Sequence, residues 1–429
     1  MADSRYDIII IGAGVVGLGV GLEVARRFPG RPLLVLEKEA RVATHQSGHN
    51  SGVIHSGVYY KPGSLKARLC VAGSAAMVNF CREHSIPHSV CGKVIVATEQ
   101  EEIPRLEELR KRGEANGLTG LRLIGPEQLH EIEPHASGVR ALVVPSTGIT
   151  DYALVSGKYA ELISGNGGTI LTSAAATSMH RSSSEIVIQT PRGAFSGNFL
   201  INCAGLHSDR ISRMAGDDPG IMIVPFRGEY YDLLPERASL VRGLIYPVPD
   251  PRFPFLGVHF TRRISGKVDA GPNAVLSLAR EGYRHSDINL RDLAASLAGK
   301  KLAKPPSTSD CMQTRQMGNR QIHHEVIQHA AFVYAVLILC PLVGGPSVSD
   351  RVRCRELHFL ALSTAMNLTG SPGVLTSDFT SAVAVRITKS DDARRRAKAS
   401  QTPQIQFEFH RAIPTIDRDR TPNSARSEL

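Results

Sequence analysis

The chain opens on a short apolar run, Tyr6–Ile11, cut off at once by Gly12-Ala13-Gly14-Val15-Val16-Gly17. Val15 to Phe28 then carries apolar residues at helical spacing, and Leu33-Leu34-Val35-Leu36 forms a second apolar run closed by Glu37. The pattern predicts strand, glycine turn, helix, strand, acid. Ser64 is placed to N-cap a helix reaching about His84, with Leu65, Leu69, Ala72, Ala76 and Phe80 along one side. Val94–Thr98 reads as a strand, and Glu101–Asn116 as a charged amphipathic helix stopped by Gly117. Pro126 suits the first turn of another short helix. Asp151 caps a further helix through Ile163, which Gly165-Asn166-Gly167-Gly168 ends. Strands are expected at Thr169–Thr172, Ala174–His180, Glu185–Thr190 and Phe199–Cys203, with a hairpin at Pro191-Arg192-Gly193. Beyond them, Ile221–Val224, Gly228–Leu234, Leu244–Pro247, Gly257–Thr261 and Lys267–Ala270 are short alternating segments parted by Pro and Gly. That spacing predicts an antiparallel sheet.

The first unit carries chemistry. Gly12 allows a tight turn, Gly14 lets backbone amides approach a pyrophosphate, and Gly17 lets helix and strand pack closely. The helix N-terminus then faces the phosphates, and Glu37 is placed to hold a ribose hydroxyl. The following segment, Thr44 to Gly57, is small and polar, with three histidines, an asparagine and no charged carboxylate or ammonium. It reads as a loop lying along a large bound dinucleotide rather than as a solvated surface loop. The strand ending in Cys203-Ala204-Gly205, with a helix after it, resembles another strand of the same sheet. Its C-terminal end is expected at the crevice formed by Gly12–Gly17; an ordinary strand-to-helix turn is the alternative.

Composition narrows the class. With 429 residues and 42% hydrophobic content the chain can bury two domain cores. Seven cysteines lie scattered, without the CxxC spacing of a metal site, so no metal is expected and the thiols point to a reducing, cytoplasm-like compartment. The first strand starts too early for a leader peptide. Of the net charge of +10, most falls after residue 283, where 20 Lys+Arg face 13 Asp+Glu. Arg394-Arg395-Arg396 lacks aromatic interleaving and any binding motif, which excludes nucleic acid as an expected partner. The apolar run Ala330–Val343 is shorter than the ~20 residues a membrane helix requires.

The run THQSGHNSGVIHSGVYYKPGSLKARLC (Thr44–Cys70), with GAGVVG before it and INCAG, PFRGEYY, YPVPDP, LGVHFTR and GPNAV after it, resembles the L-2-hydroxyglutarate oxidase/dehydrogenase family. That family belongs to the FAD-dependent oxidoreductases that include D-amino-acid oxidase. The resemblance spans about residues 5–293. It implies an α/β fold: a Rossmann-type FAD-binding domain (1–85 and 140–220) with an antiparallel α+β substrate domain (86–139 and 221–293). It also implies non-covalent FAD, oxidation of L-2-hydroxyglutarate to 2-oxoglutarate, and electrons passed to oxygen or a quinone, with peripheral contact at an inner membrane as an option. Carried onto this sequence, the cofactor set is Gly12, Ala13, Gly14, Val16, Gly17, Glu37, Lys38, Thr44, Ser47, Asn50, Ser51, Gly52 and Gly205.

Oxidising a 2-hydroxy acid requires a base for the hydroxyl proton and cationic or hydroxyl anchors for carboxylates. His55, in the loop beside the flavin, is the first choice for the base, and His259 the second. Arg227 is the expected carboxylate anchor, since a guanidinium grips a carboxylate with two parallel hydrogen bonds. Arg262 is a second anchor candidate, and Tyr230, Tyr231 and Tyr246 offer hydroxyls. Asn273, at a turn after Gly271-Pro272, is either near the flavin or a turn cap. From about 294 to 429 the family pattern stops, and the segment reads as an atypical basic tail, irregular or partly disordered. A shifted reading frame or a joined unrelated segment would produce that change. Two alternatives to hydroxy-acid oxidation therefore remain: an amine or amino-acid oxidase, and a flavin-fold protein that lacks its closing segment and does not catalyse.

Overall fold

The computed structural model describes residues 4–182, 185–251 and 257–298, together with two short strands at 322–326 and 387–389. The expectations for Ala330–Val343 and Arg394–Arg396 lie outside the described residues.

The predicted βαβ unit forms as β1 (Ser4–Ile11), α1 (Val15–Arg27) and β2 (Leu33–Leu36), with β1 and β2 parallel. Its strands are apolar in every inward position because the sheet is covered on both faces. Ile8, Ile10, Leu33 and Val35 pack with Leu18 and Leu22 of α1, whereas Ile9, Ile11, Leu34 and Leu36 pack on the other side with Ile186 and Ile188. β12 (Gly193–Asn202) adds to β1 in parallel, Ile11 opposite Asn202, so Cys203 arrives beside Gly12 as the crevice reading requires. β9 (Thr169–Leu171) extends the parallel set beyond β2. An antiparallel pair, β10 (Ser178–Arg181) and β11 (Ile186–Thr190), completes the other edge, and the hairpin from β11 into β12 closes with Thr190 opposite Gly193. β18 (Ile387–Lys389) pairs with the second half of β12. α5 (Tyr152–Gly165), N-capped by Asp151, packs beside α1 through Tyr159 and Ile163. α2 (Leu65–Glu83) begins at Ser64, whose hydroxyl accepts the Ala67 amide, and joins the same core through Met77 and Phe80.

The second sheet has eight strands in the order β17 (Ile322–Val326), β13 (Phe226–Asp232), β16 (Val268–Leu276), β15 (His259–Arg262), β14 (Leu244–Pro247), β5 (Lys93–Ala97), β7 (Arg140–Val144), β6 (Arg122–Ile124). All neighbours are antiparallel except β14 and β5. β7 pairs with β5 along its whole length, so residues 140–144 belong to this sheet. Ile221–Val224 forms no strand, and the strand expected from Ala174 begins only at Ser178. α3 (Ile103–Ala115) and α4 (Pro126–Ile132) cover this sheet through Leu106, Leu109 and Leu129. A small third sheet of β3 (Val53–Ile54), β8 (Gly148–Thr150) and β4 (His88–Ser89) ties the polar loop to the helices.

The two large sheets are bound together by buried charge. α6 (Ser208–Met214) follows β12, and its Asp209, almost fully buried, is gripped by both terminal nitrogens of Arg280. Arg280 also donates to the Leu206 carbonyl, and its amide donates at 2.9 Å to Asp292 in the first turn of α7 (Leu290–Ala298). Arg210 of α6 pairs with the same Asp292. Burial raises the pKa of Asp209, but Arg280 more than reverses this and holds it below the ordinary carboxylate value.

Candidate active site

The glycine turn is shaped for an anion. Gly12 has φ of +102°, and a Cβ there would sit 2.4 Å from the Cys203 carbonyl oxygen. A Cβ on Gly17 would lie 1.9 Å from the Gly12 carbonyl oxygen. Gly14 is the N-cap of α1 and offers no side chain, and the first turn of the helix holds no acid. The buried Ser47 hydroxyl takes the Val15 amide at 2.8 Å. Bare glycine, a positive helix end and no acid in the first helical turn fit a pyrophosphate. Ala13 and Val16 are buried behind the turn. Glu37 accepts the Ala13 amide at 2.7 Å and the Glu39 amide at 2.9 Å, so it braces the turn; each oxygen retains a lone pair for a ribose hydroxyl.

The Thr44–Gly57 loop is held by its own side chains. Thr44 donates to the Arg41 carbonyl, and Asn50 donates to the Ser47 carbonyl while accepting the Gly52 amide. Gly52, at φ +74°, stands where a Cβ would meet the Thr150 carbonyl oxygen at 2.4 Å. Ser51 is half-buried beside it. Gly205, at φ +53°, sits against the Gln46 side chain and brings the end of β12 to this loop. The buried Gln46 amide nitrogen has no partner among the described residues and is placed to meet a cofactor acceptor. These features together fit FAD.

The sequence reading missed what lies across the crevice. Glu281 meets Lys38 at 2.8 Å, His45 at 3.3 Å and His207 at 3.4 Å, and Tyr283 stacks on His49 with ring centroids 4.3 Å apart. Glu39, His45 and Glu281 bring ligand atoms within 4.8 Å of one another. The Lys38 ammonium already supplies a cation there. Burial alone would raise the pKa of Glu281, but His207, His45 and Lys38 outweigh it and hold the carboxyl at about 2. Its folded pKa lies below the unfolded 4.5, so the stability it contributes is present above about 4.5 and lost as pH falls towards 2. Thermal melts should therefore show a steeper fall over that window in the native chain than in Glu281→Gln. Equal slopes would mean the cluster carries no linkage.

On the other sheet, His259 is buried and stacked on Tyr246 at 4.1 Å, with Tyr230 edge-on at 6.5 Å. His259 Nδ1 donates to the Gly257 carbonyl at 3.0 Å, which in the neutral ring makes Nε2 the lone-pair nitrogen. His55 is half-buried, and its carbonyl accepts from the Cys70 thiol. Two expected anchors are placed differently. Arg262 is on the opposite face of β15 from His259, as the two-residue period of a strand requires, and donates to the Ala238 and Val241 carbonyls at 3.1 Å. Arg227 is buried and engaged, with Glu229 at 2.8 Å and the Arg284 carbonyl at 3.1 Å. Tyr231 is half-buried on β13, and Asn273 pairs with Glu229 across β13 and β16. Lys93, which the sequence pattern did not single out, stands 4.2 Å above the Tyr59 ring and 4.9 Å from that of Tyr246.

A parallel βαβ core with a bare glycine turn, overlaid by a mostly antiparallel sheet bearing buried His, Tyr and Lys, defines a dinucleotide-dependent oxidoreductase of two-sheet design. The chain belongs to the FAD dependent oxidoreductase family (DAO), whose model matches residues 7–322. It is 51% identical over 294 residues to an L-2-hydroxyglutarate dehydrogenase of Indibacter alkaliphilus, covering 68% of this chain and 74% of that one. A mitochondrial L-2-hydroxyglutarate dehydrogenase of Homo sapiens is 47% identical over 313 residues, covering 70% of this chain and 68% of its own. Among solved structures, L-alpha-glycerophosphate oxidase from Mycoplasma pneumoniae with FAD bound superposes with a TM-score of 0.62 at 20% identity, over 80% of this chain and 97% of that one. Glycine oxidase from Geobacillus kaustophilus gives 0.58 at 15%, over 88% and 98%. These two show the shared fold. Among the described residues, no helix is long and apolar enough to cross a membrane.

Proposed function

We propose that this chain oxidises L-2-hydroxyglutarate to 2-oxoglutarate with FAD. The observation that carries the reading is the similarity to L-2-hydroxyglutarate dehydrogenases at about half identity, over 68–70% of the chain. FAD, when bound, supplies the two-electron acceptor for the hydride that leaves the α-carbon. Gly12, Ala13, Gly14, Val16, Gly17, Ser47, Gly52 and Gly205 hold it through backbone approach, Glu37 through ribose, and Lys38, Thr44, Asn50 and Ser51 by shaping the crevice. His259 Nε2 takes the hydroxyl proton as the carbonyl forms; its ring is fixed by Tyr246 and by the Gly257 carbonyl. His55 is the second candidate, from the loop side. Tyr230 closes the pocket at the edge of the imidazole. The electrons then pass to oxygen or to a quinone, the latter through peripheral contact with a membrane.

Replacing the base removes a term of ~10²–10⁴ in rate. His259→Gln should lower kcat by that order and abolish the acidic limb of its pH profile, while His55→Gln should change kcat less. The opposite ranking would return the role to His55. For the substrate itself, dye-linked turnover should favour L-2-hydroxyglutarate over its D-enantiomer, glycine and sarcosine by at least ~100-fold, since a polar site left unpaired rejects analogues strongly. Preference for an amine would replace this reading with that of an amine oxidase.

The family match stops at residue 322, and about a quarter of the Indibacter relative lies outside its match to this chain. We place the change to an unrelated pattern between about residue 294, where the motif resemblance ends, and residue 322, where the family match ends, as a shifted reading frame would produce. Sequencing the coding DNA for an intact family frame beyond that point tests it.

A further inference from the structure

We propose that Lys93 and Tyr59 form the receptor for the substrate carboxylate remote from the reacting carbon, which makes the pocket specific for dicarboxylates. This rests on the proposed hydroxy-acid oxidation and adds the group that would read the far end of the substrate.

Lys93 is 4% exposed, on a central strand of the second sheet, yet its ammonium has no hydrogen-bond acceptor among the described residues. Among the described residues no carboxylate pairs with it. The Tyr59 hydroxyl is buried and likewise without a partner among the described residues, and its ring lies 4.2 Å beneath the ammonium. A buried ammonium over a phenol ring, each with a donor that meets no acceptor among the described residues, is costly unless something else completes them. A carboxylate, which only accepts, matches that deficit. The location fits too. Residues 93, 95 and 97 share one face of β5, and Ile95 and Ala97 pack there with Val58 and Tyr246. The Tyr246 ring touches the Lys93 ammonium at 4.9 Å and the His259 ring at 4.1 Å, so one phenol links this receptor to the proposed base. The loop bearing His55 adjoins through Cys70, whose thiol donates to the His55 carbonyl.

The charge state supplies a signature. Burial pushes the Lys93 amine down to about 7, with the nearby Cys70 thiol working slightly against this. The other groups facing it are Tyr59, Tyr246 and Cys70, all pushed above their ordinary values by burial and therefore neutral, with Lys66 beyond them over the Tyr60 ring. At pH 8.5 the amine is mostly neutral, and an arriving carboxylate restores the charged form. Binding should then take up about one proton, by the linkage of anion binding to amine protonation.

Calorimetry on the full chain with glutarate, a dicarboxylate that cannot be oxidised, tests this in two buffers of different ionisation enthalpy at pH 8.5. Butyrate serves as the monocarboxylate control. The native chain should bind glutarate with uptake of about one proton. Lys93→Met should weaken glutarate by roughly 100-fold, a loss of one charged partner, with butyrate unchanged. Lys93→Arg should keep glutarate binding without proton uptake, because a guanidinium stays charged. Lys93→Met should melt no lower than the native chain, since it removes an unpaired buried amine and keeps the length of the side chain. Glutarate binding with equal affinity and proton uptake in Lys93→Met would overturn the assignment, as would equal losses of glutarate and butyrate or no glutarate binding by the native chain. Binding with the expected uptake, but without flavin reduction by L-2-hydroxyglutarate, would instead remove the oxidation reading and leave the receptor standing.

Discussion

Arg280→Ala should destabilise the fold by about 3–5 kcal/mol, the loss expected when one partner of a buried ion pair is removed. Asp209 would remain at 1% exposure with only the half-exposed Arg213 at 3.2 Å to balance it. Its other acceptor contacts, the Arg210 and Ile223 amides, are too few to satisfy a buried carboxylate once Arg280 is gone. The Leu206 carbonyl would lose a donor as well. The double change Arg280→Met with Asp209→Leu should recover most of the loss, because a well-packed apolar pair replaces a buried ion pair at little cost. Arg213→Ala, which removes only a surface partner, should cost no more than ~1 kcal/mol. Urea midpoints of the three variants check the series. An Arg280→Ala midpoint equal to that of Arg213→Ala would show that the two sheets are joined by other contacts.

The second large effect belongs to the glycine turn. Gly17→Ala should leave the purified protein without its flavin, because the new Cβ would stand 1.9 Å from the Gly12 carbonyl oxygen. That atom is backbone at the crossing of α1 and β1, so the helix must move off the strand. The phosphate cradle moves with it. Gly30→Ala is the control: its φ is left-handed, at +79°, and nothing lies within 4 Å. It should cost only ~1 kcal/mol of backbone strain and keep flavin. Gly14→Ala falls between them, since its neighbour at 3.1 Å is the rotatable Ser47 hydroxyl. Flavin-to-protein absorbance ratios order the three. Full flavin in Gly17→Ala would mean the close packing of α1 on β1 is not what shapes the cofactor site.

These contrasts also mark what the sequence could reveal. The βαβ unit was legible because each of its constraints is local: a glycine where φ is positive, an apolar run of strand length, a helix at the next residue. Ser64, Asp151 and the strand Leu244–Pro247 were legible for the same reason. The Asp209–Arg280 pair was not, because its partners are 71 residues apart and each sits in an unremarkable polar segment. The faces of Arg227 and Arg262 were hidden similarly. A motif shows that an arginine is present, but strand parity and a neighbouring Glu229 decide where its guanidinium goes. Lys93 was missed because a lysine before an apolar run ordinarily marks the solvated end of a strand. Only the pairing of β5 between β14 and β7 encloses it.

The central claim is a flavin reduced by one hydroxy acid, and anaerobic titration of the purified chain tests it most directly. The account predicts a yellow protein whose visible flavin band bleaches with L-2-hydroxyglutarate, and not with its D-enantiomer, and returns when an oxidant is admitted. A colourless protein, or a flavin that stays oxidised in excess L-2-hydroxyglutarate, would contradict it.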